Sequence, residues 1–228
     1  MEWIQLFQRF FGDFMQGAAV TLELTAVGLL MGFVLGLALA LARTYGTPAL
    51  SKIATAYIEL FRGTPLLVQL FLIYYGLPSL GLTLSQTLSA YLALGLNSAA
   101  YQAEYLRGAI QAIGDSQMMA GRSIGLSRWQ TIRLVILPQA LRLALPAWSN
   151  EPISLLKTTA VVFLIAVQDL MAKAKRAATT TYNPIGSYIA VAVIYLVMVF
   201  ALDALLKWLA ENQNSWAGYG NHPSLGFT

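Results

Sequence analysis

Long apolar runs separated by short polar breaks set the plan of this chain. No charged residue stands between Arg62 and Glu104, and residues 24–42 are likewise uncharged. A membrane span takes about 20 predominantly apolar residues, so the first interval has room for two spans and a turn. The turn falls at residues 76–83, GLPSLGLT, with Pro78 and Gly81 as breakers. The pattern predicts five spans, at about residues 17–42, 53–75, 84–101, 145–168 and 185–206. The fourth contains Pro146, Glu151, Pro152 and Lys157. An irregular helix of that kind is tolerated at membrane depth only where it faces protein or a wet cavity.

One polar and basic island interrupts the pattern, GDSQMMAGRSIGLSRWQTIRLVILPQA at residues 114–140. Asp115 and Ser116 are good helix N-caps and Gly125 is a usual C-terminal stop, which predicts a helix of about nine residues. At 1.5 Å per residue it would be roughly 13 Å long, too short to span. Ser127 with Gln130 predicts a capping box opening a second helix, which Pro138 is expected to bend or end. Four arginines, Arg122, Arg128, Arg133 and Arg142, decorate the unit. Two readings fit: an amphipathic connector on the lipid surface, or a helix seated in a protein groove. The small pair Ala120 and Gly121 favours the groove, because small residues let backbone approach backbone.

Gly28, Gly32 and Gly36 recur every four residues and leave one face of the first span bare. Close helix packing within the chain or a contact between subunits would both use such a face. No repeat of 20–50 residues and no low-complexity tract is present, so one membrane domain, residues 1–228, is expected.

Composition agrees: 57% of the 228 residues are apolar and 11% charged, against about a quarter charged in soluble domains. The net charge of +4 does not point to nucleic acid, because the basic residues cluster at the ends of apolar segments. They set orientation instead. Arg43, Lys52, Arg62, Arg107, Arg122, Arg128, Arg133, Arg142 and Lys207 share one side, nine residues, against four, Arg9, Lys173, Lys175 and Arg176, on the other. That puts the island and the C-terminus in the cytoplasm and the N-terminus outside, although AKAKRAA at residues 172–178 opposes the count. The opening MEWIQLFQRFFGDF starts with an acid and lacks a basic n-region, so it reads as an interfacial aromatic segment and not as a removable signal.

Enzyme chemistry finds no foothold. Cysteine is absent, the single histidine is His222 in a polar tail, and no G-x-x-x-x-G-K-[ST] loop is present, so ATP would have to be split by a partner. Ionisable and polar groups inside a membrane are instead candidates for a substrate path. Asn97, Gln102, Glu104, Asn150, Glu151, Lys157, Thr158, Thr159 and Gln168 crowd the third and fourth segments. Each alone is as well explained by helix-to-helix hydrogen bonding. Together they suggest a wet cavity, with Pro152 freeing backbone carbonyls near Glu151. Glu151 and Glu104 would favour a cationic ligand, while Lys157, one and a half turns beyond Glu151, could meet a carboxylate. Glu59 and Arg62, three apart in ELFRGTP, are expected to pair on one helical face.

These residues resemble a family. "MAGRSIG", nine residues, then "VILP" is similar to the EAA loop of permease subunits of bacterial ABC importers, with Gly125, Leu137 and Pro138 matching. Met119 stands where the family has glutamate and Gly121 where it has the second alanine. "TLELTAVGLLMGFVLGLALALAR", "ELFRGTPLLVQLFLIYYGLP", "AAYQAEYLRGAI" and "NEPISLLKTTAV" resemble, in order, spans of the polar amino acid branch. The resemblance implies an all-α integral membrane protein with five transmembrane helices and a cytoplasmic coupling helix, the type I importer (MetI-like) fold. The EAA loop would occupy about residues 107–144. It also implies the bacterial or archaeal cytoplasmic membrane and transport of a polar or charged amino acid by alternating access. Partners would be a second permease, identical or related, two ABC ATPases carrying the ATP and Mg, and an external amino-acid-binding protein. This chain would bind no cofactor. ATPase docking would fall on Gln117, Met119, Ala120, Gly121, Arg122 and Gly125, and gating or scaffolding on Glu59, Arg62, Gly63 and Pro65. Without a glutamate at 119 the capping box with Ser116 is incomplete, at a cost of up to about 1 kcal/mol. A membrane-anchored assembly or signalling protein and a passive channel are the rival functions.

Overall fold

The computed structural model describes residues 2–216, with side-chain surroundings for residues 6–209. His222 lies outside the described residues. Every regular element described is helical.

Helix α1 (Glu2–Tyr45) runs for 44 residues. At 1.5 Å per residue that is about 66 Å, roughly twice the hydrocarbon thickness of a bilayer. The aromatic N-terminal segment is therefore continuous with the first predicted span and not a separate interfacial piece. No proline precedes Pro48 to break it. This helix is the spine of the molecule. Leu6, Phe10 and Phe14 anchor one core at its start, Leu24 joins a second, and Ala40 joins a third near its end.

Helix α2 (Pro48–Gly63) is capped by Thr47, whose Oγ1 accepts from Leu50 N–H at 3.4 Å. Helix α3 (Leu66–Phe71) follows, then a π-helical turn over Leu72–Gly76 and a 3-10 turn over Leu77–Leu80. The two arms meet at 105°, so the second predicted span is sharply broken. Pro65 forces the break: it lacks an N–H and drives Thr64 into extended backbone, φ −116° and ψ 143°. Gly81, with φ 82°, closes the predicted turn.

Helix α4 (Gln86–Ser123), capped by Ser85, packs along α1. Gly114, at φ 73° and ψ 174°, interrupts it. Then come α5 (Arg128–Thr131), a π-helical turn over Ile132–Ile136, and α6 (Leu137–Trp148). Pro138 does not end this helix. The π turn lets Leu137 N–H reach the Ile132 carbonyl, and the axis continues through the proline. Helix α7 (Asn150–Thr158) passes into a 3-10 stretch over Thr159–Ile165, which Ala166 closes at φ 65°. Asp169 caps α8 (Leu170–Thr181), and α9 (Pro184–Trp216) completes the described chain. The predicted fourth span is thus a chain of short helices. The stretch that begins with α7 bends by 54° into α8 at the break after Ile165, where Ala166 is left-handed.

Two described helical stretches, Leu6–Tyr45 and Pro184–Leu209, are long and apolar enough to cross a membrane, and up to four count if each bent pair is one span. Helix α4 is too polar to qualify. Its Ser89, Ser98 and Gln102 are fully buried against protein and do not face lipid. The glycine stripe of α1 makes that possible. A methyl on Gly36 would lie 2.9 Å from the Ala99 carbonyl, and one on Gly32 would lie 2.5 Å from Gln102 Nε2. The stripe serves packing within the chain.

Candidate functional site

The break after α2 sets up the site. Bending at Pro65 strips carbonyls of their helical donors, and two amide side chains replace them. Gln69 Nε2 lies 2.9 Å from the Phe61 carbonyl, 3.0 Å from the Thr64 carbonyl and 2.8 Å from Thr64 Oγ1. Asn97 Nδ2 donates to the Phe61 carbonyl at 3.2 Å and to Gln69 Oε1 at 3.0 Å. The break is therefore built into the fold, since unpaired buried carbonyls would be costly.

Three walls enclose a cavity of about 520 Å³ beside it. Arg62 to Leu66 form one wall, and Asn97, Tyr101 and Tyr105, spaced four apart on α4, form another. Glu151, Ser154, Leu155 and Thr158, one face of α7, form the third. That volume falls within the roughly 300–1,000 Å³ of small-molecule sites. Glu151 is buried and its Oε1 accepts from Ser98 Oγ at 2.6 Å. Arg62 carries the positive charge of the lining and Glu151 the negative one.

Of the predicted path residues, Asn97, Glu151 and Thr158 line this cavity together with Arg62, Gly63 and Pro65. The others do not. Gln102 is fully buried between helices, donating to the Leu29 carbonyl at 3.1 Å and to Ser98 Oγ at 3.0 Å while accepting from Trp148 Nε1 at 2.7 Å. Thr159 is buried with its hydroxyl on the Leu156 carbonyl, 2.8 Å away. Asn150 and Gln168 are exposed and lie off the cavity lining. Lys157 lines a separate, largely apolar cavity of about 420 Å³ against α9, because six residues of helix turn it away from Glu151.

Glu104 is likewise off the cavity. It gathers three arginines: Arg43 and Arg107 bond to it directly, the latter at 2.8 and 3.2 Å, and Arg62 Nη1 stands 3.8 Å from Oε2. The expected Glu59–Arg62 pair does not form. Glu59 is exposed, and Arg62 reaches across to α4.

The island is a second site of interest. Past Gly114 a short helix runs to Ser123 and ends in a Schellman motif: Leu126 N–H donates to the Gly121 carbonyl and Gly125 N–H to the Arg122 carbonyl, both at 3.1 Å, with Gly125 at φ 88°. The Ser127–Gln130 capping box has both of its bonds, at 3.3 and 2.8 Å. The start differs from expectation, because neither Asp115 nor Ser116 makes a capping bond and the left-handed Gly114 does the separating. Gly121 is also corrected. It is buried against its own chain, where a methyl would lie 2.5 Å from Thr131 Cγ2. Its smallness serves the packing of the island on α5. The outward surface carries Met119, Ala120, Arg122, Ile124 and Trp129, with Gln117 partly covered.

Sequence reasoning did not single out Gln69, Ser98, Tyr101, Tyr105 or Ser154. Gln69 carried a signal, an uncharged polar residue one turn past a proline inside an apolar run. Ser154 carried another, one turn past Glu151.

A broken-helix cavity lined by both signs of charge, beside apolar spans and an exposed basic island, defines a polytopic membrane protein of the transporter class. The chain belongs to the binding-protein-dependent transport system inner membrane components, whose family model matches residues 28–214. It is 40% identical over 197 residues to the probable amino-acid ABC transporter permease protein PatM of Vibrio harveyi, covering 85% of this chain and 88% of that one. It is 38% identical over 196 residues to the glutamine transport system permease protein GlnP of Escherichia coli K12, covering 85% and 90%. A solved amino acid ABC transporter with histidines superposes with a TM-score of 0.82 at 38% identity, over 90% of this chain and 95% of that one. The inward-facing MetNI methionine ABC transporter, at 21% identity and a TM-score of 0.77 over 90% and 97%, shares the fold.

Proposed function

We propose that this chain is the permease subunit of an ABC importer that moves a polar or charged amino acid across the cytoplasmic membrane by alternating access. One observation carries the reading: a cavity framed by a broken helix and the buried Glu151 shares α4 with an exposed docking island. The named relatives, amino-acid permeases of ABC systems, support it. A signalling or assembly protein has no use for such a cavity, and a passive channel has none for the island.

In this reading five segments span, α4 among them, since a helix buried in protein needs no apolar surface. The island faces the cytoplasm and its residues 115–123 form the coupling helix. Lys173, which counted against this orientation, is turned inward with its Nζ 3.9 Å from Asp13, so that part of the opposing charge is matched. Two ATPases, holding ATP and Mg, grip the islands of two permease subunits, identical or related. An external binding protein delivers the amino acid. Residues 97, 151 and 158 then meet it in the cavity, and the partner ATPases drive the change of access.

The test is Glu151→Gln in the assembled complex. Removing an unpaired buried charge should leave assembly intact or improved, while selectivity among cationic, neutral and anionic amino acids shifts in uptake assays. Unchanged uptake of every amino acid would remove Glu151 from the substrate site.

A further inference from the structure

Arg62 stands between two sites. Its guanidinium lines the cavity, lies 5.5 Å over the ring of Tyr101, and has Nη1 3.8 Å from Glu104 Oε2. Of the three arginines around Glu104 it is the loosest. Arg107 approaches to 2.8 Å, Arg43 bonds directly, and the Arg62 side chain is 44% exposed against 23% and 25% for the other two. Glu104 would stay neutralised if Arg62 left, because two cations remain on it. The cavity, in contrast, has no other positive group in its lining among the described residues.

An α-amino acid brings a carboxylate and an ammonium into a space with one cation and one anion. Glu151 supplies the anion. A guanidinium matches a carboxylate with paired N–H donors, which an uncharged group cannot replace. Glu104 lies on α4, the helix that continues through the Gly114 break into the island. A change at Glu104 therefore acts on the element that carries the docking surface.

We propose that Arg62 exchanges partners, holding Glu104 while the cavity is empty and the carboxylate of a bound amino acid when it is filled, so that occupancy loosens the ion cluster on α4. This rests on the cavity being the amino-acid site. It adds to that reading a sensing residue and the part of the substrate that is sensed, the α-carboxylate common to all amino acids.

The experiment uses the permease purified with its ATPase. Thermal midpoints are followed while titrating an equimolar mixture of the common L-amino acids, and separately a mixture of their α-carboxamides, which lack the charge. The wild type should be stabilised by the acids and little by the amides. Arg62→Gln should weaken the response to the acids about tenfold or more, the usual consequence of losing a charge-assisted hydrogen bond, and bring it level with the amides. Arg62→Lys, which keeps the charge, should retain part of the preference and show that the fold is intact. Glu104→Gln frees Arg62 and should raise apparent affinity for the acids several-fold, and the double variant should behave as Arg62→Gln alone. A wild type that answers acids and amides alike, or a Glu104→Gln variant with unchanged affinity, would overturn the exchange. A wild type with no response to either mixture would overturn the cavity reading itself, and the exchange with it.

Discussion

At the scale of single residues, small size decides more than polarity. Gly36 lets the α1 backbone come within van der Waals distance of α4, where an added methyl would meet the Ala99 carbonyl at 2.9 Å and Ala103 N at 3.1 Å. Both are backbone atoms and cannot swing aside. Gly36→Ala should therefore destabilise the purified protein by about 1–3 kcal/mol, as overpacking does, and lower its thermal midpoint. Gly12→Ala, on the same helix with nothing within 4 Å, should not. Equal midpoints for the two variants would mean that α1 and α4 do not meet at Gly36. The period of four was legible in the sequence, but the choice between a partner helix in the chain and one in another subunit was not. Gly121 makes the same point: its smallness was visible, and the residue it accommodates, Thr131, became known only from the fold. Glu151 was readable because a carboxylate in an apolar run has few alternatives. Gln102 misled because a buried amide that ties helices together and one that meets a ligand have the same signature in one dimension.

At the scale of elements, the breaks position the function. Prolines and capping residues announced several of them, the turn ending at Gly81, Gly125 and the Ser127 box, whereas the break at Pro65 falls inside what the pattern predicts as one span. Their angles were not legible, since 105° at Thr64–Pro65 depends on Gln69 and Asn97 arriving from other turns to satisfy the carbonyls. In the sequence Gly114 only opens a polar stretch, whereas in the fold it is the break between the buried part of α4 and the island. Its φ of 73° and ψ of 174° belong to a region that only glycine occupies comfortably, and other residues there are strained by about 1–3 kcal/mol. Gly114→Ala should insert normally yet misdirect the island helix, so co-purification of the ATPase falls sharply while the detergent-solubilised permease keeps its helical content. An alanine variant that retains its ATPase fully would show that the hinge does not aim the docking surface.

At the scale of the whole molecule, α1 runs beside all three cores, and α4 carries the cavity wall of Asn97, Tyr101 and Tyr105, the ion cluster of Glu104 within that same stretch, and the island beyond Gly114. This arrangement suits a machine in which cavity occupancy and docking are felt through one helix. The distribution of basic residues predicts its sidedness, and the chain has no cysteine to interfere with labelling. Single cysteines at the exposed positions Ser123 and Thr180 should react with impermeant reagents from opposite faces, Thr180→Cys from outside intact cells and Ser123→Cys only after the membrane is opened. Labelling of Ser123→Cys from outside would invert the arrangement. Coupling of the amino-acid cavity to ATP hydrolysis elsewhere is measured in proteoliposomes holding the permease with its ATPase. ATP hydrolysis is measured with the external binding protein empty and then loaded with its amino acid. Hydrolysis should rise several-fold with the loaded protein and be accompanied by uptake into the vesicles. Hydrolysis indifferent to the loaded protein, or uptake that proceeds without ATP, would show that cavity and hydrolysis are not coupled.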